Sequence, residues 1–396
     1  MSGTGNGPGL ANGQRAVPRP QLRLAAAFTG GVSLAVWMGG MAREMNLLLA
    51  ASRLNRGEPV ADTTEPGQRV RAGYAVLLDL LGTDVSIDVL SGTSAGGINA
   101  AILGLANVQR FDLDRLRDLW FTEGALGGLL RSPADKTATS LLYGDKSLLA
   151  GLRSGLKDLA GGGLGNPAPG QDPTRVFVTT TLLAGEASRF TDEYGTLVRD
   201  VNHHGLLRFS SADLTEANVP ALALAARCSA SFPVAFEPGL IPIGMDGGDG
   251  HPDMAAFSNT QATQFAADGG LLMNRPLGPA LQAVFDRPAE SEVRRVLAFV
   301  VPQTGPPTVP RPRLSVADTP DLPAALAADL TALTAQTISA DLAAIAAHNQ
   351  QVTARNDTRQ QLAVLGSQLG RLAAPFYAGY GSGARSGSRR PRPMRC

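Results

Sequence analysis

Two short stretches of this 396-residue chain carry the residue types needed for nucleophilic attack on a carbonyl carbon. The first is Gly92-Thr93-Ser94-Ala95-Gly96, which directly follows the strand-like run 86–90 and directly precedes a helical pattern. A serine at a tight strand-to-helix turn projects its hydroxyl from the sheet edge, small neighbours relieve the crowding of the turn, and the helix N-terminus favours negative charge. With 46 glycines in the chain the five letters alone arise easily by chance, so the strand before and the helix after carry the signal. A serine hydroxyl needs a base to take its proton. Four histidines are available, His203, His204, His251 and His348. In a Ser-acid-His order the histidine belongs in a loop at the strand ends, and none of the four fits that place well. His203 and His204 read as a solvated turn, and His348 falls in a helical region beyond a Pro-rich stretch. A Ser-His-Asp esterase would have to use His251 or His204.

The second stretch is Asp268-Gly269-Gly270, followed by Asn274-Arg275-Pro276 and a helix. A carboxylate beside a serine hydroxyl, partly desolvated so that its pKa rises, can accept the proton and pass it to the leaving alcohol. Taken alone, Asp268 is read more simply as an Asx turn or helix cap. Asp246-Gly247-Gly248-Asp249 repeats the letters but lacks the Asn and Pro that follow Asp268. Asp246, Asp249 and Asp253 lack the spacing and bidentate Glu of a calcium loop, so that segment reads as a polar insertion and no metal is expected. Cys228, in an apolar stretch, reads as a small buried residue.

The elements that must position these groups alternate between strand and helix, the pattern of parallel strands with helical crossovers. Residues 22–28 form a buried strand that turns through Gly30 and Gly31 into a helix from about 33 to 54. Residues 24–41 carry no charge and follow Arg15, Arg19 and Arg23, the outline of a signal peptide or membrane span. Gly30-Gly31 and Gly39-Gly40 interrupt that run and favour strand, turn and helix. Further helices are expected at 69–81, 95–107, 112–123, 147–159, 222–226 and from 277, with strands at 85–90, 175–183 and 293–301. The Gly-rich 124–170 segment is expected to form a cap. The expected fold is thus a three-layer α/β/α sandwich with a mostly parallel central sheet, plus a C-terminal helical appendage. Its parts are a disordered segment 1–21, a main α/β domain 22–303, a Pro-rich linker 304–320, helices over 321–372 and a disordered basic tail 373–396.

Apolar residues at 44% and charged residues at 17% fit a globular protein and exclude a long disordered chain. Eight of the 35 basic residues lie in two acid-free ends, three in 1–23 and five in 376–396, leaving 27 against 34 acidic residues in the body. A mildly acidic body with basic ends argues against nucleic-acid binding. Two cysteines, one of them terminal, make no disulfide framework.

These residues together resemble the patatin-like phospholipases over about residues 22–303. The resemblance rests on Thr29-Gly30-Gly31-Val32-Ser33 after the first strand, the Gly92 to Gly96 turn, the segment Ala226-Arg227-Cys228-Ser229-Ala230-Ser231-Phe232-Pro233-Val234-Ala235-Phe236-Glu237-Pro238, and Asp268-Gly269-Gly270 with Asn274 and Pro276, in that order. It implies a lipid acyl hydrolase in which Ser94 is the nucleophile and Asp268 the general base. Backbone N–H groups of Gly30, Gly31 and Val32 would form the oxyanion hole, Gly92, Thr93, Ala95 and Gly96 the nucleophile elbow, and Gly269 and Gly270 the turn after the base. The glycine turn departs from the family pattern: Thr29 stands for the first glycine, Ser33 for a basic residue and Leu34 for the last glycine. Residues 30–37 with Gln336-Thr337-Ile338-Ser339-Ala340-Asp341-Leu342 resemble a bacterial patatin-related subgroup whose members run longer, so a short or truncated form is expected. The resemblance implies a phospholipid or other acyl-lipid substrate, no cofactor, and a cytoplasmic protein with peripheral membrane contact. A non-catalytic lipid-binding module that kept the frame is the rival of another class.

Overall fold

The computed structural model of the chain describes residues 19–31, 35–132, 134–135, 138–161, 163–164, 173–191, 193–287, 293–302 and 315–380. These fall into two compact units, one ending at Thr337 and one beginning at Ile338.

The first unit is built on a seven-stranded sheet. Strand β1 (Gln21–Phe28) leads into helices α1 (Ala35–Asn55) and α2 (Glu65–Leu80), then β2 (Asp84–Thr93) and α3 (Ala95–Gln109). Helices α4 (Leu116–Glu123) and α5 (Leu126–Leu129), a π-helical turn Gly144–Leu149 and α6 (Ala150–Leu159) precede the hairpin of β3 (Arg175–Thr191) and β4 (Leu197–Ser210). Then come α7 (Val219–Ser229), β5 (Gly239–Ile241), β6 (Gln264–Asp268), α8 (Gly270–Met273), α9 (Leu277–Phe285), β7 (Val293–Val300) and α10 (Leu322–Thr334). The strand order is β5-β6-β3-β2-β1-β7, with β4 pairing β3 as well. The pairs β7/β1, β1/β2 and β2/β3 are parallel, and β4, β5 and β6 join antiparallel.

Alternation along the strands sends side chains to two cores, since successive residues of a strand face opposite sides. Leu24, Ala26 and Phe28 of β1, with Leu90, Val176 and Val178, join a large cluster that holds the buried faces of α1, α3 and α7. Ala25, Val89 and Phe177 face the other way and meet Ala280 and Ala283 of α9. This is the expected three-layer α/β arrangement. The alanines of β1 keep its surface low, so α3 sits between α1 and α7 with 14 of its 15 residues buried.

Several boundaries differ from the sequence reading. Helix α2 begins at Glu65 because Thr64 caps it, accepting from the Gly67 amide, and Pro66 suits the first turn. His203 and His204 lie in β4 rather than in a turn; most of that strand is an exposed ribbon on β3, so its sequence lacks buried-strand alternation. The described part of 124–170 is sewn into the body instead of forming a free cap. Leu141 and Leu142 donate backbone bonds to Val234 and Ala235, and Leu149, Leu152 and Leu156 are core residues. Residues 1–18, 165–172, 303–314 and 381–396, on which the disorder, linker and tail expectations partly fall, lie outside the described residues. Helix α10, expected in a separate appendage, packs on α8 within the first unit. Among its described residues the second unit consists of Ile338 and the 42-residue helix α11 (Ser339–Tyr380), which continues past the expected fraying point at 373.

Candidate active site

The pairing register of β3 explains how two residues 174 positions apart become neighbours. One edge of β3 is filled by β4, and the other is shared by β2 and β6. Thr93, the last residue of β2, pairs with Thr179, and Asp268, the last residue of β6, pairs with Thr180. The parallel strand and the antiparallel strand therefore run toward each other along one edge and stop on adjacent rungs. Ser94 is the residue after one stop and Asp268 is the other stop.

Ser94 sits at φ 54° and ψ −128°, a conformation that costs an L-residue on the order of 1–3 kcal/mol. Close packing imposes it. A Cβ on Gly92 would lie 2.3 Å from the Gly96 carbonyl oxygen, and one on Gly96 would lie 2.4 Å from the Thr29 carbonyl oxygen. Only glycine at both positions lets the elbow fold back on itself against the end of β1. The first turn of α3 is also tied to α1, since the Asn99 amide donates to the carbonyls of Ala35 and Ala95.

Asp268 is 2% exposed. Its Oδ1 accepts the Gly270 N–H at 2.7 Å, whereas Oδ2 is buried with no hydrogen-bond partner among the described residues. Burial pushes the carboxyl up to about 6, with the nearby Ser94 hydroxyl and the Gly270 amide pulling it back. The Ser94 hydroxyl is thus near enough to favour the charged carboxylate, and catalytic bonds of this kind commonly tighten with substrate present. A buried carboxylate with one unused oxygen next to a strained serine can hold a proton near neutral pH.

A web of long-range bonds fixes the pair. Ser229 Oγ accepts the Ser94 N–H at 2.8 Å, the Ser229 carbonyl accepts the Gly269 N–H, and the Ser231 carbonyl accepts the Asp268 N–H. Both serines extend from the C-terminal end of α7, so one element positions nucleophile and base together. Thr179 and Thr93 share a hydroxyl bond of 2.6 Å while Thr93 donates to the Met273 carbonyl at 2.7 Å, joining the end of β2 to α8. Beneath Ser231 lies Arg227, fully buried. Its Nη1 donates to Ser231 Oγ at 2.6 Å, its Nη2 donates to the Glu237 carbonyl, and its guanidinium pairs with Asp145 and Glu237 at 3.2 and 3.4 Å. Glu237 also accepts from Ser140 and from the amides of Gly144 and Asp145. Despite desolvation by burial, these donors and the Arg227 charge hold its carboxyl down at about 2. The roles of Ser229 and Ser231 are not legible in the sequence, since their partners Ser94 and Asp268 lie 135 and 37 positions away in the chain.

The glycine turn closes the other side. The Thr29 N–H donates to the Val300 carbonyl at 3.1 Å and the Gly30 N–H to the Asn274 carbonyl at 3.2 Å, so the Gly30 amide is engaged in this state. No acceptor for the Gly31 N–H is present among the described residues, and Val32, the third expected donor, lies outside them. A cleft of about 140 Å³ is lined by Gly30, Gly31, Ser94, Phe232, Asp268, Gly270, Asn274 and Thr334. Ala95 and Gly269 flank it as the first residue of α3 and the turn after β6.

The rival residues lie elsewhere. Among the described residues lining the cleft there is no histidine. His251 points its Nε2 at Asp145, 3.5 Å away, and His204 bonds Asn202 on the exposed ribbon. Asp246 accepts from Gly248 within an exposed turn, and Asp253 accepts from Gly244 and Ala255. Among the described residues no group of three His, Cys, Asp or Glu side chains could hold a metal ion. Cys228 is buried, and desolvation pushes its thiol up to about 12, which makes it unreactive.

Comparison with known proteins gives a consistent assignment. A sequence model of the family described as patatin-like phospholipase matches residues 26–281. A protein described as an uncharacterized membrane protein of Mycobacterium tuberculosis is 47% identical over 367 residues, covering 88% of this chain. The chain spans 34% of that protein's length. No solved structure matches. On the family match, which covers well over half of its length, the chain belongs to the patatin-like phospholipase family.

Proposed function

We propose that this chain hydrolyses carboxylic ester bonds of phospholipids or other acyl lipids with a Ser94–Asp268 dyad and no cofactor. The observation that carries this reading is the head-to-head stop of β2 and β6, which leaves an unpartnered, desolvated carboxylate oxygen beside a strained serine in one cleft. Ser94 Oγ attacks the ester carbonyl as its proton passes to Asp268 Oδ2. The tetrahedral oxyanion then faces the Gly30–Gly31 turn and the N-terminus of α3, where amide donors are each worth about 2.7–4 kcal/mol to such a state. Collapse expels the alcohol, which takes the proton from Asp268 and leaves an acyl-Ser94 ester. Water attacks that ester, giving its proton to Asp268; the proton returns to Ser94 as the fatty acid departs.

Membrane contact is part of the proposal. Part of the stretch Leu322–Leu369 is exposed and, by length and composition, apolar enough to cross a membrane. The Mycobacterium relative is described as a membrane protein. The test is hydrolysis of a short-chain activated ester and of mixed phospholipid vesicles by the wild type, Ser94→Ala and Asp268→Asn, each checked for folding by circular dichroism. Cleavage by the wild type alone supports the dyad. A wild type that binds vesicles but cleaves neither substrate turns the reading to a non-catalytic lipid-binding module.

A further inference from the structure

The cleft is not finished by the residues that the family model spans. One lining residue, Thr334 at the end of α10, lies more than fifty positions beyond residue 281. Thr334 lines the cleft, its carbonyl accepts the Asn274 side-chain amide at 2.7 Å, and Gln336 Oε1 accepts the Asn274 backbone N–H at 2.8 Å. Asn274 is thus gripped at backbone and side chain by two residues of one short segment. The grip matters because Asn274 is also the residue that meets the glycine turn. Its carbonyl accepts the Gly30 N–H, and its Oδ1 occupies the space where a Gly30 side chain would stand, 2.2 Å from an ideal Cβ. The chain of contacts runs Gln336 to Asn274 to Gly30, ending on the turn that faces the Ser94 carbonyl-binding side.

We propose that Gln336 is a positioning residue that, through Asn274, sets the Gly30–Gly31 turn for the oxyanion, so that the segment 334–336 is part of the working site. This rests on the functional reading above, and two readouts separate their failures. The side chain of Gln336 contributes an acceptor, so the informative pair is Gln336→Met, which keeps length and apolar contact but removes the acceptor, and Gln336→Glu, which keeps it. With a soluble activated ester, Gln336→Met is expected to lower kcat by about tenfold, the scale of one lost hydrogen bond, with KM nearly unchanged, while Gln336→Glu stays close to wild type. Hydrogen–deuterium exchange of the peptide holding Gly30 is expected to quicken in Gln336→Met and not in Gln336→Glu. Equal kcat and equal exchange in Gln336→Met and wild type overturn the proposal, as does a loss in Gln336→Met that Gln336→Glu shares to the same extent. If the wild type cleaves no ester, the hydrolase reading falls and the exchange comparison alone decides whether Gln336 holds the turn.

Discussion

Asp268→Asn tests the electrostatics of the site through stability, independently of any substrate. A carboxyl lifted from 3.8 to about 6 by burial is one that the folded state prefers protonated. The unfolded chain releases that proton at lower pH, so ionised Asp268 destabilises the fold at neutral pH by about 3 kcal/mol. The sign is the reverse of a salt-bridged aspartate: stability falls as pH rises from about 4 to about 6 and then stays level. Asparagine fits the same contacts, since its carbonyl oxygen can accept the Gly270 N–H and its amide can donate to the Ser94 hydroxyl, yet it carries no charge. Urea unfolding of both proteins is therefore expected to show Asp268→Asn more stable by about 3 kcal/mol at about pH 8, with the difference shrinking to well under 1 kcal/mol near pH 4. An asparagine variant less stable than wild type at all pH values, or an advantage that does not change with pH, would refute the claim that Asp268 is a strained, uncompensated carboxylate.

Other outcomes follow from the same geometry. The kcat of ester hydrolysis should fall as pH drops through about 6, where Asp268 takes up a proton and ceases to be a base; a profile flat down to about pH 4.5 contradicts the assignment. Gly96→Ala would place a Cβ 2.4 Å from the Thr29 carbonyl oxygen and should cost about 1–3 kcal/mol or more of stability, read by denaturant midpoint. Arg227→Met leaves Asp145 and Glu237 without their buried cation and should cost about 3–5 kcal/mol, read by thermal unfolding. Glu237 supplies stability that is fully present above its ordinary pKa and is lost as pH falls toward about 2, so Glu237→Gln should flatten the acid limb of the stability curve.

The sequence was most readable where a local pattern meets a steep physical requirement. The strand, turn and helix around Ser94 were legible because Gly92 and Gly96 have no room for a side chain and α3 is buried along nearly its whole length. Strand β1 was legible as a largely apolar run flanked by two parallel neighbours, and the apolar second half of β7 marked the edge strand beside it. Strands β4 and β6 were not: β4 is largely an exposed ribbon, and β6 has five residues, too few for a periodic signal. Asp268 was found by its glycines and by family likeness, but its place at a strand end needed the β3 register. Ser229, Ser231 and Gln336 act through partners 135, 37 and 62 positions away, and no spacing rule in the chain announces such pairs.

The most direct test of the dyad is covalent. A fluorophosphonate reacts with a serine that has a working base and an oxyanion site, and digestion with mass spectrometry locates the adduct. One adduct is expected on the peptide containing Ser94, absent in Ser94→Ala and formed far more slowly in Asp268→Asn. An adduct on another serine, or undiminished lipid cleavage by Ser94→Ala, would contradict the dyad.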